Sequence, residues 1–254
     1  MRVTVLGCSG SVGGPGVACS GYLFTVPGEQ PVLVDCGPGV FGELQRVADP
    51  DSVAVVLSHL HADHCLDLAA MLVWRRYAPP GPAPVAAPLY GPSGVAARIG
   101  AASSEFPGEI DDIGDTFDVR EWSDGIEVTL GGMSIRAFQV DHPPETYGLR
   151  ITSPEGKVVA YSGDTALCDE LIDLAAGADV FLCEASWSHD PAARPEHLHL
   201  SGIDAGEAAT KANVKALAIT HVAPWTDAEL ILAEARSRFG GPVELVRQGQ
   251  VFDL

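Results

Sequence analysis

The stretch "SHLHADHCLD", residues 58–67, places three of the chain's eight histidines and one aspartate between His59 and His64. Imidazole and carboxylate groups at that density are the donors of zinc, manganese and iron sites. The spacing separates them into two pairs. His59 and His61 lie two apart just after an apolar run, so extended backbone directs both to one side. Asp63 and His64 fall where the chain turns into a helix, so they can face a second ion. The alternative is a crowded polar loop.

A metal ion needs further donors, and three candidates stand where apolar segments end. His142 closes "IRAFQVDH", Asp164 closes "VVAYSGD" and His221 closes "ALAITH". Ligands at strand ends along one rim are a usual way to build a site on a rigid scaffold. Taken alone, Asp164 reads equally as a turn residue and either histidine as an ordinary hydrogen-bonded ring. The cluster at 59–64 tips all three toward ligation.

The elements that must carry these residues can be read from periodicity and punctuation. "RVTVLG" (2–7), "GYLFTV" (21–26) and "PVLVDC" (31–36) read as strands between Gly- and Pro-rich turns. "VFGELQRVA" (40–48) has a helical pattern. "VAVVLS" (53–58) is a continuous apolar run, as in a strand buried on both faces, and the histidine cluster follows it at once. "LDLAAMLVWRRYA" (66–78) reads as a helix. Residues 78–92, with six prolines, read as a surface loop within one domain spanning 1–254, because the motifs on either side need each other. Strands dominate over 125–140, 146–152 and 157–165. Helices at 166–176, 203–212 and 227–238 then alternate with strands at 179–185, 215–221 and 242–246. No internal sequence repeat is visible. Strands from both halves with helices between them point to two packed sheets covered by helices.

Composition narrows the partners. The formal net charge of −19 disfavours nucleic acid and anionic membrane surfaces, both of which rely on summed positive charge. No signal peptide and no bilayer-spanning apolar stretch is visible, so a cytoplasmic location is expected. The six cysteines include no C-x-x-C pair and read as reduced core residues.

"HLHADH" resembles the H-x-H-x-D-H signature of the metallo-β-lactamase superfamily. "LVDCGPG" (33–39), "SGDT" (162–165) and "LAITHVAP" (217–224) resemble its other motifs, in the same order along nearly the whole chain. The resemblance implies an αββα sandwich of two mixed β-sheets, with two divalent metal ions, zinc foremost and manganese as the alternative. It implies that His59, His61 and His142 hold one metal, that Asp63, His64 and His221 hold the other, and that Asp164 bridges them. Asp35 would brace the metal loop.

"DHPPETYGLRI" around His142 resembles the phosphodiesterase branch around tRNase Z. "HLHLSGIDAGEAA" (197–209) resembles that branch's segment in which a histidine protonates the leaving oxygen. Position by position this is His199, and Ser201 follows two residues later. His197 reads as structural or exposed, and Ser201 also fits a helix N-cap. His142 and Asp164 lie only 22 positions apart, too few for the tRNA-gripping arm of tRNase Z. "LSHLHADHCLDL", "YSGDTALCDEL" and "VFLCEASW" are more similar to atypical class II cyclic nucleotide phosphodiesterases of actinobacteria. That resemblance implies hydrolysis of a small phosphodiester, 3′,5′-cyclic AMP, by a hydroxide shared between the metals. Asp63 would be both ligand and orienter of the hydroxide. Glu184, ending "VFLCE", would hold His199 or a metal histidine, or be a plain strand-end carboxylate. A tRNase Z-like ribonuclease and a non-catalytic metal-binding protein are the alternatives; a homodimer is compatible with all three readings. Trp74, Tyr77, Trp187 and Trp225 could stack on a purine or simply pack at the core rim. Arg75 and Arg76 could meet phosphate or water.

Overall fold

The computed structural model describes residues 1–190 and 195–254. The first half runs β1 (Arg2–Gly7), β2 (Gly21–Thr25), β3 (Val32–Val34), α1 (Val40–Leu44), β4 (Ala54–Val56), α2 (Ala62–Cys65), α3 (Leu68–Tyr77), β5 (Ala87–Gly91), α4 (Val95–Ser103) and β6 (Phe117–Glu121). The second runs β7 (Glu127–Leu130), β8 (Met133–Gln139), β9 (Tyr147–Thr152), β10 (Val158–Tyr161), α5 (Asp169–Ala175), β11 (Val180–Glu184), α6 (Gly202–Lys211), β12 (Leu217–Thr220), α7 (Ala228–Arg238) and β13 (Val243–Leu245). The last strand, β14 (Val251–Asp253), returns to pair with β1.

Two seven-stranded sheets result, ordered β14-β1-β2-β3-β4-β5-β6 and β13-β12-β11-β10-β9-β8-β7. Each contains three consecutive antiparallel pairings and three consecutive parallel ones. The two sheets therefore share one ladder plan, although the sequence shows no repeat.

Strand alternation sorts side chains into three apolar layers. Val3, Val5, Phe24, Val34, Val56, Ile135, Leu149 and Val159 pack between the sheets. Val53, Val55 and Leu57 point the other way, onto Leu68, Met71 and Leu72 of α3. Phe181, Leu217 and Ile219 pack onto α5, α6 and α7 through Leu171, Ala208 and Ile231. The apolar run at 53–57 is thus buried on both faces. The αββα sandwich expected from the sequence is the observed fold.

Segment 78–92 departs from the reading as a loop, because its second half forms β5 inside the first sheet. That strand carries Pro88, which has no N–H to give to a ladder, so its sequence reads as punctuation. Among the described residues, no helix is long and apolar enough to cross a membrane.

Candidate metal centre

The C-terminal ends of β3, β4, β8, β10, β11 and β12 open onto one rim. Asp35 follows β3, Ser58 and His59 follow β4, and His142 lies beyond β8. Asp164 follows β10, Glu184 ends β11 and His221 follows β12. His61 caps α2, the short helix that carries Asp63 and His64. Two glycines admit the close backbone approaches this requires. A Cβ on Gly37 would sit 1.9 Å from Asp63 O, and one on Gly10 would sit 2.3 Å from His221 O. Asp35 and His221 hold φ of 58° and 55°. Non-glycine residues in the left-handed region are uncommon, and such strain concentrates at functional sites.

The structure brings all seven sequence-derived ligand candidates together. Donor atoms of His59, His61, His142 and Asp164 lie within 4.8 Å of one another, and so do those of Asp63, His64, Asp164 and His221. Asp164 belongs to both groups. His64 Nε2 is 3.3 Å from Asp164 Oδ1, and His221 Nε2 is 3.0 Å from Asp63 Oδ2. His59 Nε2 is 3.5 Å from Asp164 Oδ2, and His142 Nε2 is 3.3 Å from His61 Nδ1.

The nitrogens that face away from this centre are tied down. His64 Nδ1 donates to Asp35 Oδ2 at 2.8 Å, and His142 Nδ1 donates to Leu198 O at 2.5 Å. In the neutral form that binds metal, both therefore present a bare Nε2 inward. His59 Nδ1 lies 3.0 Å from Ser58 Oγ, and His221 Nδ1 lies 2.8 Å from Ser186 Oγ. Asp35 also accepts from Ser58 N, Ser58 Oγ and the Tyr161 hydroxyl. Such outer partners fix ring orientation and tautomer at metal sites.

The donor set fits divalent cations. Among the described residues, His59 Nε2 and Asp164 Oδ1 are fully buried yet have no hydrogen-bond partner. A buried lone pair left without a partner is costly, and a cation would satisfy both. Burial disfavours a charged His59, and the positive charge of His64 lowers its pKa further. Burial opposes ionisation of Asp164, but His221, His64 and His59 outweigh it and hold the carboxyl well below its ordinary range. A neutral imidazole beside an ionised carboxylate is the ligand state that metal binding requires. The nitrogen and oxygen donors, without thiolate, suit zinc, manganese or iron.

His199 lies over the centre. Its ring centroid is 5.1 Å from that of His142 and 5.5 Å from that of His221, one residue from each ligand group. Its Nδ1 donates to Glu184 Oε1 at 2.9 Å. Burial pulls the His199 pKa down, but Glu184 and Asp164 outweigh it and raise the pKa to about 9. Glu184 is fully buried and also accepts from Thr165 N, Ser186 N and Ser186 Oγ. It lies within ligand reach of His199 and His221, but with its oxygens engaged it acts as a brace.

Ser201 resolves as a cap. Its hydroxyl accepts from Asp204 N while Asp204 Oδ2 accepts from Ser201 N, a capping box that starts α6. Neither Arg75 nor Arg76 faces the centre. Arg75 is buried and donates to the carbonyls of Pro50, Asp51 and Val85, and Arg76 pairs with Asp111 and Asp115. Trp74 packs edge-on against Phe41, and Tyr77 is exposed. Trp187 is half-buried and bridges to Ser201, and Trp225, beyond His221, is 67% exposed. Sequence reasoning missed Ser58, Tyr161, Ser186 and the Leu198 carbonyl.

A family profile described as "Beta-lactamase superfamily domain" matches residues 30–222. The chain belongs to the metallo-β-lactamase superfamily. An uncharacterised protein of Mycobacterium leprae is 56% identical across all of this chain and 89% of its own length. A protein named ribonuclease Z from Mycolicibacterium paratuberculosis is 34% identical over 96% of this chain and 95% of its own. Among solved structures, the metallo-β-lactamase fold protein YhfI of Bacillus subtilis superposes with a TM-score of 0.85 at 26% identity, covering 99% of this chain and 98% of that one. Membership makes the chain a metallo-hydrolase of this fold with a candidate metal-binding centre. The six cysteines are free, and all but Cys168 are buried.

Proposed function

We propose that the chain is a dinuclear metal-dependent phosphodiesterase that hydrolyses 3′,5′-cyclic AMP to AMP. The carrying observation is His199, held by Glu184 and flanked by His142 of one ligand group and His221 of the other. His59, His61, His142 and Asp164 would hold one cation, and Asp63, His64, His221 and Asp164 the second. Bound there, zinc or manganese would lower the pKa of a water and offset charge on the phosphoryl oxygens.

The remaining chemistry falls to the chain's own groups. With Nδ1 donating to Glu184, a protonated His199 carries its second proton on Nε2. That proton passes to the ribose oxygen as its bond to phosphorus breaks. A ribose alkoxide is a poor leaving group, so general-acid help matters there. Glu184 keeps the ring protonated and oriented. Asp63, 8% exposed, belongs to the second donor group and would orient the attacking water as well as bind metal.

A small cyclic substrate is favoured over RNA by two features. Residues 147–161 between His142 and Asp164 form the tight hairpin β9–β10, without an inserted arm. The net charge of −19 opposes a polyanion. The likeness to a protein named ribonuclease Z supports the second reading, a ribonuclease. Metal-loaded protein assayed against cyclic nucleotides, linear phosphodiesters, thioesters and precursor tRNA decides between them. Turnover of 3′,5′-cyclic AMP above all others supports the proposal; cleavage of precursor tRNA alone would replace it with the ribonuclease.

A further inference from the structure

One hydrogen bond beside the centre has no part in the reaction described above. His197 Nδ1 lies 2.7 Å from Asp141 Oδ2, although the His197 side chain is 74% exposed. Exposed pairs of this kind add little to stability by themselves. Three observations set this one apart. His197 holds φ 57°, the left-handed region that a non-glycine residue enters only against a steric penalty. The next two residues then turn inward onto different components: Leu198 O accepts from His142 Nδ1, and His199 Nδ1 donates to Glu184. Asp141 is tied in as well, since it precedes His142 and its carbonyl accepts from Ala166 N at 2.8 Å, two residues beyond Asp164. The pair thus joins the three loops that carry His142, Asp164 and His199.

We propose that Asp141 and His197 form a positioning clamp. The clamp holds residues 197–199 in the turn that aims the Leu198 carbonyl at His142 and the His199 ring over the centre. Neither residue touches the reacting atoms. The proposal rests on the phosphodiesterase reading only in naming the leaving oxygen that His199 serves. The bond needs an acceptor at position 141 and a donor at 197, so asparagine at 141 preserves it and alanine does not.

The test uses full-length His197→Ala, Asp141→Ala and Asp141→Asn at saturating metal, on phenyl and p-nitrophenyl phosphodiesters. Both alanine variants should lose about tenfold in kcat on the phenyl ester, the scale expected for a lost outer partner, with KM nearly unchanged. The loss should shrink on the p-nitrophenyl ester, whose oxygen departs without a proton. Asp141→Asn should restore the rate. Adding His197→Ala to His199→Ala should cost little more at saturating metal, because the clamp's other role, the Leu198 carbonyl on His142, acts through metal occupancy. In metal-free protein, backbone amides of residues 197–200 should exchange faster in the alanine variants and at the wild-type rate in Asp141→Asn. Equal losses on both esters, additivity with His199→Ala, or unchanged exchange would each overturn the clamp. Should the wild-type protein ignore cyclic nucleotides while the ester and exchange results hold, the substrate proposal fails and the clamp stands.

Discussion

Replacing Asp35 by asparagine keeps the size of the side chain and removes only its charge and one acceptor. Asp35 is fully buried and accepts four hydrogen bonds: Ser58 N at 2.7 Å to one oxygen, and Ser58 Oγ at 2.8 Å, Tyr161 OH at 2.7 Å and His64 Nδ1 at 2.8 Å to the other. An amide can face this set in two ways. If its NH2 takes the place of the second oxygen, it can donate to only two of the three groups there and His64 Nδ1–H loses its acceptor, a clash relieved when Nδ1 offers a lone pair instead. The ring proton then moves to Nε2, the atom 3.3 Å from Asp164 Oδ1, and a protonated nitrogen cannot bind a cation. If the NH2 instead faces Ser58 N, two buried donors oppose each other, at about 1–3 kcal/mol for the unsatisfied group. The first arrangement forfeits the brace of a ligand, about 10–100-fold in metal affinity, which is on the order of 1.4–2.7 kcal/mol. Competition of metal-free protein against a chelating indicator measures the affinity for each equivalent, and urea unfolding of the same protein measures stability. Asp35→Asn should weaken one equivalent by about 10–100-fold while the metal-free fold loses at most about 3 kcal/mol. Unchanged affinity for both equivalents would refute the argument that Asp35 sets the His64 tautomer.

Asp164→Ala should lower metal content at both sites and abolish hydrolysis, since Asp164 belongs to both donor groups; His221→Ala should empty chiefly one, and elemental analysis of the two variants separates these outcomes. His199→Ala should keep metal content and folding while slowing hydrolysis of a cyclic nucleotide roughly 10²–10⁴-fold, the range for a lost general acid, and the loss should be smaller on a p-nitrophenyl phosphodiester. Because Glu184 and Asp164 raise the His199 pKa to about 9 against the pull of burial, the acid form dominates below that value and is lost as pH rises through it. Bound divalent cations would shift the limb downward. The rate should therefore fall on the alkaline side in wild type, at or below pH about 9, and this limb should be missing from the pH profile of His199→Ala.

The ligand candidates were readable because each stands just past an apolar strand. The boundary "VAVVLS" to "HLHADH" marks both the end of β4 and the start of the centre, and "ALAIT" to His221 does the same for β12. The sheet order was less visible. β14 has three residues and completes the first sheet from the far end of the chain, which no local pattern announces. β6 is mostly exposed and charged along "FDVRE", and α4, "VAARIGAAS", begins after a glycine without a side-chain cap. The bracing groups were hidden for a different reason. Ser58, Tyr161 and Ser186 are common residue types whose function lies only in where the fold aims one hydroxyl. The Leu198 group is a backbone carbonyl and has no sequence signature. The left-handed φ at Asp35, His197 and His221 likewise leaves no trace in side chains other than glycine.

We propose that two cations, held by these seven side chains, serve hydrolysis of a cyclic phosphodiester. The most direct measurement is the rate of 3′,5′-cyclic AMP hydrolysis as metal-free protein is titrated with zinc or manganese. Activity should rise with the second equivalent and level off when two are bound per chain. Full activity at a single equivalent, or no hydrolysis with both equivalents bound, would contradict it.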